Sequence, residues 1–376
     1  MSPLSYSSRR LTGGTVLLGL LGAALAALVL VDGSSGQSVA RRTGAGGAPG
    51  GLPRLGQTAS SRAGLRLLRE AAAAGVATSY QGVQIVAWWG PRGATTSVVQ
   101  VWHERGRSIL AQVTDMGSAP SAAAPPTSAA AAQEPDGILG LSQQLLVLMP
   151  DNYQVVYAGR GSADNRQARI VDVLRRDGSL AARYWLDTAT KLPLRRETFD
   201  SRARMISEDA FINLRIGDSG LRGMPVAAVR GWSARLDPVQ IARLRAQGWP
   251  VPKLLPGDLL LIAAHQSATA AGPVIDLDYS DGLSLVSIFL QRGELSRAMP
   301  GWQEITLRGS AVYSTDPGSR SLVWSARGFV YTVIAEAPPA TVDQVVDALP
   351  HDAGPGFWGR IAKGMRRLAS WANPFR

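Results

Sequence analysis

The chain has 376 residues, of which 45% are hydrophobic, so it can fill the cores of two ordinary domains and is not a disordered protein. It contains no cysteine and only three histidines, which excludes disulfides, thiolate metal sites and cysteine nucleophiles. The formal charge is +11, but eleven of the 39 basic residues and a single acid lie outside residues 63–359. The body is nearly neutral and the ends are basic, which argues against a nucleic-acid partner.

The N-terminal region combines a basic start, an apolar run and a Gly-rich continuation. Residues 11–31 carry no charge over a length that can cross a bilayer as a helix, and two arginines precede them. This arrangement predicts a single-pass anchor or signal, with residues 1–10 in the cytoplasm and the folded part outside the cytoplasmic membrane. Small residues at 38–40 resemble a cleavage site, so a secreted protein is the alternative. Residues 32–62 predict a flexible linker.

Residues 63–218 predict a first domain that is mainly antiparallel sheet. One helix is expected at 61–75 and a Leu-rich helix at 138–149, stopped by Pro150. An Ala/Pro-rich stretch at 118–135 is expected to be a disordered insertion. One large sheet with two helices against it would assemble these elements. Alternating apolar residues predict its strands at 83–89, 96–103, 107–113, 153–158, 169–175, 182–186, 194–199 and 210–216.

A break in this pattern at residues 219–256 predicts a linker between two domains. Asp237 and Pro238 suit the start of a short helix within it. Residues 257–350 predict a smaller second domain, whose last helix is expected to be capped by Thr341. The predicted fold class is therefore α+β. The strands of the second domain are expected at 259–264, 274–279, 283–291, 304–307, 310–313, 322–325 and 329–335.

The C-terminal residues 351–376 predict a basic amphipathic tail. Aromatic and aliphatic residues follow helical spacing on one side, and arginines with one lysine fill the other. Such a helix suits an anionic membrane surface, with docking on the body or on a partner as the alternative. The residues expected at the membrane surface are Phe357, Trp358, Arg360, Lys363, Arg366, Arg367 and Trp371.

The strand at 83–89 carries large apolar side chains on both faces. Period two places Val83, Ile85 and Trp89 on one face and Trp88 on the other. This pattern is compatible with a lipid groove behind the sheet, and equally with a strand that is covered twice. The candidates for lining a groove are Val83, Ile85, Trp88, Trp89 and Trp102.

The polar candidate residues form no recognisable catalytic or metal-binding motif. His103 is interpreted as a solvated residue at a strand end, because it has no ligand partner at metal-binding spacing. Asp276, Asp278 and Asp281 lack the Gly and closing Glu of a calcium loop, so they are interpreted as acids on an exposed face, with Asp281–Gly282 as a turn. Nucleophile-elbow, phosphate-loop, zinc-protease and dinucleotide motifs are absent from the sequence. The sequence therefore predicts no catalytic residue, no metal site and no cofactor.

Several motifs in order resemble one known family. These are SYQGVQIVAWWG at 79–90, RYWLDTATKLPLRRETFD at 183–200, and YSDGLSLVSIFLQ at 279–291 followed by GFVYTVIAEAPPATVDQVVDAL at 328–349. Together they resemble the MucB/RseB family of sigma-E regulatory proteins over about residues 63–350. Only three of the 39 basic residues are lysine, which suggests a GC-rich, actinobacterial genome and a divergent member.

The resemblance implies a LolA-like antiparallel half-barrel with helices, followed by a smaller domain. It implies a regulatory binding protein that holds the extracytoplasmic part of a membrane-spanning anti-sigma factor and responds to a lipid or envelope-stress signal. A lipid or lipoprotein carrier of LolA type is the alternative. An exported structural or cell-wall enzyme is the third hypothesis, and it would require motifs that the sequence lacks.

Overall fold

The predicted anchor and the basic tail from residue 353 onward fall outside the part of the chain that the structure describes. Among the described residues, no helix is both long enough and apolar enough to cross a membrane. The computed structural model describes residues 55–90, 93–105, 109–114, 129–132, 138–217, 235–269, 271–295, 302–307, 310–314 and 321–352.

The first half forms a nine-stranded sheet in the order β4-β3-β2-β1-β9-β8-β7-β6-β5. All neighbouring strands are antiparallel, and β4 and β5 form the two edges, so the sheet is open rather than closed into a barrel. The strands are β1 (Tyr80–Gly90), β2 (Gly93–His103), β3 (Ile109–Thr114), β4 (Ala129–Ala132), β5 (Gln154–Ala163), β6 (Arg166–Leu174), β7 (Leu180–Asp187), β8 (Pro193–Phe199) and β9 (Met205–Ile216).

Two helices cover one face of this sheet, as expected. Helix α1 (Leu55–Ala77) buries Leu67, Leu68 and Ala71 against β5, β6 and β7, because these apolar residues recur at helical spacing. It begins inside the predicted linker 32–62, so the last part of that segment is helical. A second difference is β4, which lies inside the predicted disordered insertion 118–135 and pairs with β3 at the sheet edge.

Helix α2 (Leu145–Asn152) is shorter and later than the predicted helix at 138–149. Leu139 and Gly140 have positive φ angles of 50° and 64°, a left-handed backbone that cannot continue a right-handed helix. The Leu145 N–H donates to the Ser142 hydroxyl at 3.3 Å, while Gln144, the residue before the helix, makes no side-chain cap. The helix continues through Pro150, at the cost of one backbone hydrogen bond.

The second half forms an eight-stranded antiparallel sheet in the order β10-β11-β12-β13-β17-β16-β15-β14. Helix α3 (Pro238–Ala246) begins at the predicted Asp237 cap, whereas helix α4 (Pro339–Ala348) is preceded by Pro338 rather than by the predicted Thr341. The strands are β10 (Leu254–Leu255), β11 (Leu259–Thr269), β12 (Gly272–Ser280), β13 (Leu285–Arg292), β14 (Gln303–Leu307), β15 (Ser310–Ser314), β16 (Ser321–Ala326) and β17 (Phe329–Glu336).

The second core lies between α4 and one face of this sheet. Val342, Val345 and Val346 of α4 belong to one buried cluster with Leu277 and Tyr331 of the strands. The α+β class and the antiparallel organisation are confirmed. The exact domain boundaries 63–218, 219–256 and 257–350 stay predictions.

Candidate binding cleft between the two sheets

The β12–β13 turn docks onto the first sheet unit. Asp281 is buried, and its Oδ2 accepts a hydrogen bond from the Tyr153 hydroxyl at 2.6 Å. Its Oδ1 accepts from the backbone N–H groups of Leu283 at 2.9 Å and Ser284 at 2.7 Å. The Asn152 side-chain amide donates to the Asp281 carbonyl at 2.9 Å. One turn therefore uses its backbone and its carboxylate to join two sheets.

The residues on either side of Asp281 complete this junction. Leu283 is 6% exposed and packs in the core that α1, α2 and the first sheet share, although it belongs to the second half of the chain. Gly282 has φ +97°, and a Cβ there would lie 2.4 Å from the Met149 nitrogen. Only glycine fits this position, because the turn approaches helix α2 backbone to backbone.

A buried arginine crosses the same junction from strand β8. The Arg196 guanidinium donates to the Leu283 carbonyl at 3.1 Å and lies 3.7 Å from the Glu336 carboxylate at the end of β17. Its side chain is 5% exposed, while that of Glu336 is 47% exposed, so the ion pair is partly screened by water. Gly140 makes room for the guanidinium, since a Cβ there would lie 2.0 Å from its Nη1.

A small cleft of about 80 Å³ lies beside this junction and opens to solvent. Its lining comes from both halves: the apolar side chains of Trp88, Ile206 and Leu283 lie among polar and charged groups, and Pro338 and Thr341, at the start of helix α4, also line it. Such a mixture of apolar walls and a few charged groups suits a ligand with both kinds of surface. The charged groups of both signs that line the cleft are Arg175, Arg196, Asp209, Asp281 and Glu336.

Burial shifts the pKa values of Asp281 and Tyr153, the two groups at the centre of the junction. Burial raises the pKa of the Asp281 carboxyl, against the opposing effect of its hydrogen-bond donors. Burial, together with the nearby Asp281 charge, also raises the pKa of the Tyr153 hydroxyl. The tyrosine is therefore a permanent donor at neutral pH, and the carboxyl is the group whose charge can change.

The five groove candidates divide between the two faces of the first sheet. Trp88 lies opposite Ser207 of β9 and lines the cleft. Val83, Ile85 and Trp89 lie on the other face of β1, and Trp102 joins them there because it is paired with Gln81. Val83, Ile85 and Trp102 are half-buried, and Trp89 is exposed, at 36%. Their role as a lipid groove stays a prediction.

The interpretation of the polar candidates as solvated residues was wrong, because the structure buries them. His103 is 4% exposed, its Nδ1 lies 2.7 Å from the Thr78 carbonyl, and its ring stacks on Tyr80. Asp276 and Asp278 are each 5% exposed rather than lying on an open face. Strand alternation does place both carboxylates on the same face of β12, but that face is buried. Tyr153 and Arg196 could not be recognised from sequence patterns, because their partners lie more than 80 positions away along the chain.

An open antiparallel sheet with helices on one face and a second α+β unit docked beside it define an α+β protein. Residues 110–243 match the family model described as the MucB/RseB N-terminal domain. This match confirms, over that part of the chain, the resemblance to the MucB/RseB family. None of the curated proteins compared with the chain matches it.

Solved structures resemble the chain at low sequence identity. MucB aligns at 17% identity over 78% of this chain and 98% of its own, with a TM-score of 0.45. The MucA/MucB complex of Pseudomonas aeruginosa aligns at 19% identity over 75% and 96%, with a TM-score of 0.41. A LolA superfamily protein from Nitrosomonas europaea aligns at 9% identity over 73% and 91%, with a TM-score of 0.17.

Proposed function

We propose that this protein is an exported, membrane-associated regulatory protein that binds the extracytoplasmic part of a membrane-spanning anti-sigma factor. The cleft at the junction of the two sheets is the proposed binding site. The observation that carries the proposal is the cleft itself, where apolar walls and charges of both signs converge from two units. A peptide segment offers that combination of surfaces, since its side chains vary while its backbone supplies hydrogen bonds. The family match of residues 110–243 supports the same class of partner.

Regulation would follow from the position of the cleft. A segment bound there contacts both units, so its affinity depends on how the two units are docked. A lipid that binds elsewhere and changes the docking would change the affinity for the segment by the same coupling free energy. The face with Val83, Ile85, Trp89 and Trp102 is the proposed place for such a lipid. The N-terminal anchor and the basic tail would hold the protein beside a membrane-embedded partner.

Binding rather than catalysis is the proposed activity. The charged side chains of the cleft are held by structural contacts, such as those of Arg196 with Leu283 and of Asp281 with Tyr153. They serve to join the two units, which suits a site that recognises a partner. A lipid or lipoprotein carrier remains the competing function, and it predicts a cargo without a protein partner.

Co-purification of the full chain from detergent-solubilised membranes of its own organism tests the proposal. Proteins and lipids that co-purify would be identified by mass spectrometry. We expect a single-span protein with a cytoplasmic sigma-binding domain, lost in Thr341→Trp, which places a large side chain at the rim of the cleft. Gln344→Trp is the matched control, because Gln344 is exposed on the same helix. A lipoprotein cargo with no such membrane protein would contradict the proposal and favour the carrier.

A further inference from the structure

A His–Asp–Asp cluster lies in the second sheet, on the face opposite the α4 core. His265 on β11 pairs with Asp276 on β12, so their side chains are neighbours on one face. Asp278 is two residues further along β12 and therefore points the same way. One ligand atom from each of these three residues lies within 4.8 Å of the others.

The distances in the cluster suit an ion better than direct hydrogen bonds. His265 Nδ1 lies 3.9 Å from Asp276 Oδ2 and 3.9 Å from Asp278 Oδ2, beyond hydrogen-bond range. This nitrogen is buried and has no hydrogen-bond partner among the described residues. Two ligands that each bind one ion at about 2.1 Å can be as much as ~4.2 Å apart. An ion between the ring and the two carboxylates would engage atoms that are otherwise too far apart to bond.

The surroundings hold the cluster in place and keep it largely dry. The side chains of Asp276 and Asp278 are each 7% exposed, and that of His265 is 18% exposed. Ser287 on the neighbouring strand β13 donates its hydroxyl to Asp278 Oδ1 at 2.6 Å, which fixes one carboxylate and leaves its other oxygen facing His265. A hydrogen bond of this kind orients a ligand from outside the coordination shell.

The electrostatics favour a divalent cation. Asp276 and Asp278 are buried side by side, and the cationic groups near Asp278 are His265 and Arg235, whose exposed guanidinium donates to the Ile262 carbonyl. A divalent ion would offset the charge of two buried carboxylates while binding a neutral imidazole.

We propose that His265, Asp276 and Asp278 form a divalent-cation site, with Zn²⁺ as the ion that best fits one imidazole nitrogen and two carboxylate oxygens. The ion would link β11 to β12, the strand that leads directly into the docked Asp281 turn. Its occupancy would therefore stiffen the strand that carries the junction between the two sheets. This inference is independent of the partner proposed for the cleft.

Zinc titration of the purified full chain in detergent, after removal of bound metal with a chelator, tests the site. Isothermal titration calorimetry is expected to show one Zn²⁺ bound per chain. His265→Gln and Asp278→Asn are each expected to weaken binding by more than about 100-fold, and Ser287→Ala by about 10-fold or more. Asp177→Asn is the control, because Asp177 lies on an exposed turn of the first sheet. Equal Zn²⁺ affinity in the control and in the ligand variants would overturn the proposal.

A measurement on the unaltered chain covers the case in which a ligand variant does not fold. X-ray absorption of the zinc-loaded protein is expected to show nitrogen and oxygen ligands with a single imidazole. Two or more imidazoles, or no Zn²⁺ retained at stoichiometric loading, would contradict the assignment. Parallel titrations with Mn²⁺ and Ca²⁺ are expected to give weaker binding, because imidazole is a poor ligand for harder cations. Tighter binding of either ion would overturn the choice of zinc.

Discussion

At the scale of single residues, Asp281 connects the two halves of the molecule. Its carboxylate accepts three hydrogen bonds, two from its own turn and one from Tyr153. The two local bonds shape the turn, as expected of Asp before Gly. The third comes from the other sheet unit and gives the turn a role in docking that its sequence did not reveal.

Tyr153→Phe should destabilise the protein by about 1.5–3 kcal/mol, because it leaves a buried carboxylate oxygen without its donor. Urea unfolding of the two proteins measures the difference. Tyr331→Phe is a matched control, since the Tyr331 hydroxyl is buried without a hydrogen-bond partner among the described residues. Equal losses in both variants would mean that the Tyr153–Asp281 bond contributes nothing of its own.

Asp281→Asn should flatten part of the pH dependence of stability. The folded state raises the carboxyl pKa above its ordinary 3.8, so the folded chain binds this proton more tightly than the unfolded chain does. Stability from this group is present below the unfolded pKa and is lost as pH rises through the folded value. We expect the free energy of unfolding of the unaltered chain to fall more steeply than that of the variant from about pH 4 upward. Parallel slopes in urea titrations across this range would refute the assigned shift.

At the scale of elements, alternation predicted nearly all strands of both sheets, because each has one face against a core. It missed β4, whose four alanines carry no alternation and which is recognised only by its pairing with β3. It also placed helix α2 too early, since the apolar spacing at 138–149 gives no sign of the left-handed backbone at Leu139. The pairing of His265 with Asp276 was equally hidden, because strand register is a tertiary property.

Gly282→Ala should destabilise the protein by more than about 2 kcal/mol, through backbone strain at positive φ and a clash with Met149. Gly178→Ala is the matched control, because Gly178 also has a positive φ, of 83°, but a Cβ there meets nothing within 4 Å. The control should lose only the strain, about 1 kcal/mol. Thermal unfolding of both variants gives the comparison, and a loss at Gly282 no larger than at Gly178 would argue against close packing of the turn on helix α2.

At the scale of the whole molecule, the two sheets share part of one core. Leu283 leaves the second sheet to pack with α1 and α2, while Arg196 reaches from the first sheet to the Leu283 carbonyl. Contacts of this kind run in both directions across the junction. The two units are therefore expected to unfold together, and the cleft keeps its shape only while they are docked.

Leu283→Ala should cost about 2–5 kcal/mol and separate the unfolding of the two units. Leu290→Ala is the control, because Leu290 is fully buried in the core of the second sheet itself. The control should be destabilised by a similar amount while keeping the cooperativity of the unaltered chain. Calorimetry distinguishes the two results by one or two heat-absorption peaks. A single peak in Leu283→Ala would show that the shared core does not couple the units.

In the proposed function, the cleft between the sheets binds the external segment of a membrane protein. Site-specific photocrosslinking in native membranes, with the full chain carrying a photoreactive residue at position 341 or, as a control, at position 177, tests it most directly. We predict a crosslink to a single-span protein with a cytoplasmic sigma-binding domain from the cleft position and none from the exposed turn. The same adducts from both positions, or no protein adduct from position 341, would contradict the account.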